Sequence, residues 1–378
     1  MVAKASPCAS NGHKARGQTL RDPDPLIAHF QEQATWCRAL GSPFTAALLD
    51  CFAHDFAASG PVHTLCADWP GHPRRDALGL RLCGALHYGV LSGAAPDLAR
   101  LYPAQRPDWD ITDVWPQARA WLRSHLEPVS HFIQHPPQTN ETGRALALLP
   151  GFLKIAALCE SPLHLLELGA SAGLNQNWDR FSYKTSTWQR RGTSDVELSA
   201  DWRGPPPDHL EATIQIASRA ACDLNPIDLN QATSRLRLKA YTWPDQTARL
   251  TRLDAAMDLA RQTGVQVDQA RAADWLKTRL AARPDQGATV VYHSVFLIYP
   301  PREEIAEIMA RIAEAGAEAT RAAPVAWLCY ESEALFGGRR DSPHMQARLQ
   351  IWPEGVSEVY AIGDGHVTSI HRCQDGTA

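Results

Sequence analysis

One stretch constrains this chain more than any other: Leu163-His164-Leu165-Leu166-Glu167-Leu168-Gly169-Ala170-Ser171-Ala172-Gly173-Leu174-Asn175. A short apolar run ends in an acid, two glycines follow, and a helix-like segment opens behind them. That order reads as a buried strand, a tight turn and a helix, the repeating unit of a parallel sheet covered by helices. Gly169 and Gly173 let the backbone bend sharply and approach a ligand with no Cβ in the way. A glycine turn that merely opens a helix carries the same pattern, so its neighbours must decide between the two.

The chain changes character at this stretch. From about 26 to 160 apolar residues recur at helical spacing: Leu26, Phe30, Cys37 and Leu40, then Phe44, Ala47, Leu48, Cys51 and Phe52. Between these two, Ser42 is an expected N-cap and Pro43 the first helical residue. Further helices are expected over 77–92, 116–133 and 145–158. Beyond, short apolar runs alternate with amphipathic segments. Strands are expected at 163–168, 214–222, 265–270, 289–295 and 325–330, and helices at 174–181, 245–261, 275–282 and 302–315. Three more strands, 347–352, 357–362 and 366–371, close the chain, with Gly363-Asp364-Gly365 as a hairpin signal. Residues 183–210 read as an inserted small hairpin outside the sheet. The expected architecture is an α/β protein. A Rossmann-like, mostly parallel sheet ends in an antiparallel hairpin and carries an N-terminal all-helical domain. The expected divisions are a disordered tail at 1–25, a helical cap at 26–160 and the α/β domain at 161–378.

Composition narrows the function classes. The net charge of −4 gives no reason to expect a nucleic-acid surface and leaves open only a local basic patch. The first 25 residues lack the apolar core of a signal peptide, and no run has the length of a membrane span. Nine cysteines occur without a CxxC pair, as expected of small buried hydrophobes in a reducing compartment, so a cytoplasmic protein is expected. His125, His131 and His135 lack the glutamate of an HExxH site, and no metal is expected.

Two acids point to a cofactor. Cys222-Asp223-Leu224-Asn225-Pro226 follows the second strand of the α/β half, and an acid there holds ribose hydroxyls in doubly wound nucleotide-binding folds. Asp223 could equally close a local Asx turn. Glu167 precedes the glycines, where a carboxylate suits an ammonium and a sulfonium but repels a pyrophosphate. The residues therefore favour S-adenosylmethionine over NAD.

With these features in view, residues 163–371 resemble a class I S-adenosylmethionine-dependent methyltransferase core. Nearly the whole chain resembles a bacterial family described only as uncharacterised, with such a core. The shared runs are 138–144, Gly169-Ala170-Ser171-Ala172-Gly173-Leu174-Asn175, 222–226, Trp243-Pro244-Asp245-Gln246, Ala273-Asp274-Trp275-Leu276 and His293-Ser294-Val295. The resemblance implies that Glu167, Gly169, Ser171, Gly173, Asn175 and Asp223 bind the cofactor, with Asp274 near the adenine. Ser171 replaces the usual middle glycine, and its hydroxyl can bind the ligand. The end of the 289–295 strand would face the methyl group, and the ordinary pKa of a histidine suits His293 to proton removal.

The segment Gln138-Thr139-Asn140-Glu141-Thr142-Gly143-Arg144 precedes an apolar helix. It can serve as the helix cap, or it can cover the crevice. In the second case Arg144 contacts the cofactor carboxylate, while Gln138, Asn140 and Glu141 meet substrate or the amino group. Tyr299 would form a pocket wall, and Trp243 would fill core. The expected activity is methyl transfer to a small molecule. A non-catalytic S-adenosylmethionine or nucleotide sensor and a nicotinamide-dependent oxidoreductase are the alternatives. The acceptor and the oligomeric state are not legible.

Overall fold

The computed structural model describes residues 24–339 and 342–373. The expected tail lies outside the described residues, except that Asp24 and Pro25 already cap and open the first helix.

Seven helices come first: α1 (Pro25–Ala39), α2 (Pro43–Ala57), α3 (Pro61–Cys66), α4 (Leu78–Leu91), α5 (Pro96–Ala99), α6 (Ile111–Ser124) and α7 (Leu126–Ile133). Ser42 caps α2 by accepting from the Thr45 amide, and Pro43 follows it, as expected. The helix expected over 116–133 is two helices, because His125 leaves helical geometry between α6 and α7. The seven share one apolar core, in which Phe30, Phe44, Leu49, Phe52 and Leu86 are fully buried. Each such side chain contributes about 1.5–3 kcal/mol.

The next helix, α8 (Arg144–Cys159), packs on the sheet instead. The rest of the chain runs β1 (Leu163–Leu168), a 3-10 segment (Leu174–Arg180), β2 (Ser182–Thr185), β3 (Gln189–Arg190), β4 (Glu197–Arg203) and β5 (Ile216–Asp223). Then come α9 (Ala232–Ala240), α10 (Thr247–Thr263), β6 (Asp268–Gln269), α11 (Ala272–Ala281), β7 (Ala288–Ser294), α12 (Arg302–Ala317) and β8 (Val325–Ser332). The chain closes with β9 (Met345–Trp352), β10 (Val356–Gly363) and β11 (Ser369–Arg372).

The strands form one sheet in the order β3-β2-β4-β11-β10-β9-β8-β7-β1-β5-β6. Its run β6-β5-β1-β7-β8 is parallel throughout and reproduces the doubly wound order 3-2-1-4-5. Antiparallel β9 and β10 follow as a meander. The fold is therefore α/β, with a mostly parallel mixed sheet and a helical N-terminal region. Leu165, Val290 and Leu328 face α8 and α10, while Leu168, Val291 and Trp327 face α11 and α12. Strand alternation sends successive side chains to these two cores.

Three expectations are corrected. Residues 183–210 do contain the hairpin β2–β3, but β4 pairs in parallel with both β2 and β11, so the insertion extends the sheet. The strand expected over 265–270 pairs only at Asp268 and Gln269, on the sheet edge. The helix after the glycine turn is a kinked 3-10 segment. There Gln176 and Asn177 spend their side chains on Gln266 O and Thr263 Oγ1, tying the segment to α10 and its C-terminal turn. Short polar side chains compete in this way with regular helix.

Ala240 and Tyr241 join the helical core, and one acid ties α2 to the same region. Asp245 accepts from Ser42 Oγ at 2.6 Å and from the Phe44 amide at 2.9 Å, so the Trp243–Gln246 run caps α2. Trp243 packs at the edge of the helical core, as expected.

Candidate functional site

Strands β1, β5, β7 and β8 all end at one edge of the sheet, the edge where ligands bind in open α/β folds. The glycine turn leaves β1 there. Gly169 has φ +67° and Gly173 φ +71°, backbone that favours glycine. A Cβ on Gly169 would lie 2.3 Å from the Phe296 ring, and one on Gly173 2.4 Å from Val265. Both glycines are thus required by close packing as well as by backbone angle.

Glu167 is buried on the α8 face of β1, where its Oε2 accepts from the Tyr292 hydroxyl at 3.1 Å. Burial pushes its carboxyl up to about 8, against the Tyr292 hydrogen bond. Asp223, at the end of β5, accepts from the Ser171 amide with Oδ2 and from the Asn225 amide with Oδ1, each at 2.8 Å. It therefore braces the turn and closes an Asx turn at once. Ser171 Oγ and Asn175 Oδ1 are buried and have no partner among the described residues.

The polar segment before α8 lies across this turn. Gln138 Nε2 donates to Asn225 O at 2.6 Å, and the Leu174 amide donates to Asn140 Oδ1 at 2.9 Å. Asn175 Nδ2 donates to Glu141 O at 3.4 Å. The segment also serves the start of α8, because Glu141 Oε1 accepts from the amide of the N-cap Gly143, which has no capping side chain of its own.

Glu141 is the hub of the segment. Its Oε2 accepts from Arg249 Nε at 2.9 Å, and its Oε1 from Arg252 Nη2 at 3.1 Å and the Gly143 amide at 2.9 Å. Burial alone would raise its pKa, but Arg249, Arg252 and Arg144 outweigh it and hold the carboxyl at about 2. His366 stands beside the same charges with its ring edge-on to Trp243. Burial, reinforced by Arg249, lowers its pKa to about 4.

Arg144 opens α8. Its Nε donates to Gly365 O at 3.3 Å, in the β10–β11 loop, and none of its hydrogen bonds reaches the glycine turn. Asp274 is exposed in the first turn of α11 and pairs with Arg271 at 3.5 Å. Tyr299 stands in the loop after β7, 75% exposed.

His293 is the main correction. It is fully buried, on the face of β7 opposite Tyr292, with Nδ1 2.7 Å from Glu331 Oε1. Its Nε2 accepts from Trp327 Nε1 at 3.0 Å. Because an indole nitrogen only donates, Nδ1 carries the proton and donates to Glu331. Neither ring nitrogen is left to take a proton from a ligand. The alternation of β7 decided this, by turning position 293 inward.

Sequence reasoning missed Glu331, a fully buried acid near the end of β8. Its signal is the one that singled out Glu167, a lone carboxylate closing an apolar strand. Its Oε1 also accepts from the Phe296 amide at 2.7 Å, while its Oε2 has no partner among the described residues. Arg249 and Arg252, one turn apart on α10, were missed as well. Val295 holds φ +49° just after β7, a strained conformation for a β-branched residue.

A family model described as an uncharacterized protein conserved in bacteria (DUF2332) matches residues 28–371. No curated protein matches the chain, and neither does any solved structure. No helix among the described residues is long and apolar enough to cross a membrane.

Proposed function

The chain belongs to this bacterial family, and we propose that it is an S-adenosylmethionine-dependent methyltransferase acting on a small molecule in the cytoplasm. The observation that carries this reading is the pair of orphaned buried atoms in the glycine turn, Ser171 Oγ and Asn175 Oδ1. Buried polar atoms are nearly always paired, so two in one ligand-facing turn point to a bound group. Glu167, near the end of β1, offers a carboxyl group for an ammonium, and Asp223, at the end of β5, one for ribose hydroxyls. When bound, this cofactor supplies an activated methyl group. The protein's part is to hold, orient and exclude water, with residues 138–144 covering the turn. A small acceptor suits a crevice covered in this way. The described cysteines are unpaired, as suits a reducing compartment.

NAD suits the turn less well. The Ser171 and Leu174 amides already donate to Asp223 and Asn140, and a pyrophosphate needs free amides there. A sensor that binds the same cofactor without turnover is the second reading, favoured by the enclosure of His293.

A thermal-shift screen separates the three. S-adenosylhomocysteine at 100 times its Kd should stabilise the protein by about 2.7 kcal/mol. Ser171→Ala and Asn175→Ala should each weaken that binding. Stabilisation by NAD alone would overturn the proposal, and binding without turnover across acceptor pools would favour the sensor.

A further inference from the structure

We infer that the open edge of β5 is a docking site for an extended peptide segment that carries acidic side chains. This surface stands apart from the methyltransferase reading.

The edge follows from the pairing of the sheet. Strand β5 pairs with β1 from Ile216 to Cys222, with a bulge at Ala217. On its other side β6 covers only Cys222 and Asp223. The Cys222 carbonyl accepts from the Ala170 amide on the β1 side, and the Asp223 carbonyl from the Ala270 amide on the β6 side. Backbone groups alternate in direction along a strand. Arg219 and Ala221 therefore point their N–H and C=O away from β1, as Asp223 does, along a stretch that no strand covers. Such a row of backbone groups is a template for another chain. Lysine and proline often blunt an edge of this kind, whereas the exposed residues here are Ala217 and Ser218.

The stretch lies in a groove of about 430 Å³. The 3-10 segment walls it on the α10 face, and Arg279 of α11 borders it on the other. Residues 263–266, which lead into β6, stand off from the edge and form the far wall. An added strand would extend the line of β6 backwards along β5, with main-chain bonds supplying affinity and flanking side chains supplying selectivity.

Charge selects the occupant. Arg219 donates to Asp179 at 2.8 Å, and Arg279 pairs with Asp268 at 2.6 Å. Arg180 also lines the groove, is exposed, and has no partner for its guanidinium among the described residues. The surplus charge is thus positive and favours an acidic segment. A second copy paired edge to edge about a two-fold axis would bring these arginines toward their own counterparts. The chain's first 23 residues carry Lys4, Lys14, Arg16 and Arg21 against Asp22 alone, so they too are disfavoured. A nucleic acid would meet Arg180 but offers no row of amides to the β5 edge.

The test is fluorescence anisotropy on the full chain with three capped, labelled peptides. One alternates glutamate and valine, one alternates lysine and valine, and one is the glutamate peptide with its backbone nitrogens methylated. The first should bind at least tenfold more tightly than either of the others, because methylation removes the main-chain donors and keeps the charge. Arg180→Glu, an exposed change, should weaken the first peptide at least threefold. Bound peptide should slow hydrogen exchange at the Arg219 and Ala221 amides. The proposal is overturned if the glutamate peptide does not bind, if methylation or lysine leaves binding unchanged, or if exchange slows only elsewhere. It is also overturned if the chain forms a dimer that the peptide dissolves, since the edge then belongs to a second copy, or if an oligonucleotide binds this groove more tightly than the peptide. All arms are read without S-adenosylhomocysteine, so failure here leaves the cofactor proposal untouched.

Discussion

The Tyr292 hydroxyl donates to Glu167 Oε2 at 3.1 Å, in the interior of the sheet face that α8 covers. That bond is the only one the Glu167 carboxylate receives among the described residues, and burial wins over it. The group is therefore protonated at neutral pH, and a cationic ligand must displace the proton.

Cofactor binding should thus release a proton below about pH 8. Calorimetric binding of S-adenosylmethionine in buffers of different ionisation enthalpy should show different apparent heats, and Glu167→Gln should abolish the difference. The unliganded protein follows the same linkage. The folded pKa lies above the ordinary value of 4.5, so the stability contribution is full below that value and is lost as pH rises toward 8. The slope is about 1.4 kcal/mol per pH unit. Glu167→Gln should flatten that part of the stability profile.

Gly169→Ala should destabilise the fold by roughly 2–4 kcal/mol, from positive φ and from the Phe296 ring. Phe296→Ala in the same chain should recover the packing share and leave the backbone share. Urea midpoints of the two single variants and the double variant measure both. Strict additivity would mean that the ring does not limit this turn.

Glu141→Gln should cost about 3 kcal/mol, because the buried end of two half-buried arginine pairs loses its charge. The same group predicts acid lability. Its folded pKa of about 2 lies below 4.5, so its stabilisation is present above 4.5 and is lost as pH falls toward 2. Denaturation midpoints across that window should fall more steeply for the unmodified protein than for Glu141→Gln.

Asp245→Ala should loosen the helical half without melting the sheet. It removes the acceptor of Ser42 Oγ and of the Phe44 amide, at a cost of about 1–2 kcal/mol. Native-state proteolysis should then cut faster between α1 and α2. Unchanged cleavage there would show that α9, packed on α4, carries the docking alone.

Much of the fold was legible because it depends on local pattern. The 163–168 run is β1 residue for residue, and α1, α2, α4, α8 and α12 lie where helical spacing put them. The polar segment 138–144 stood out because a helix cap does not need Gln, Asn, Glu and Arg together, and the segment does bond to the glycine turn. The edge strand β6 was read too long, because an apolar run does not reveal how many of its residues find a partner. Strand β4 was missed as part of the sheet for the related reason that its partner β11 lies far away in sequence.

By itself the sequence determined a strand, an acid and a glycine turn at residues 163–173. Hydrophobic period and the backbone freedom of glycine are properties of neighbouring residues. Only the tertiary structure decided which polar groups are spent and which are left over. It turned His293 inward between Trp327 and Glu331, tied Arg144 to the β10–β11 loop, and left Ser171 Oγ, Asn175 Oδ1 and Glu331 Oε2 unmatched among the described residues. A side chain's availability depends on partners far away in sequence, and strand alternation and helix direction bring those partners together only in the folded chain.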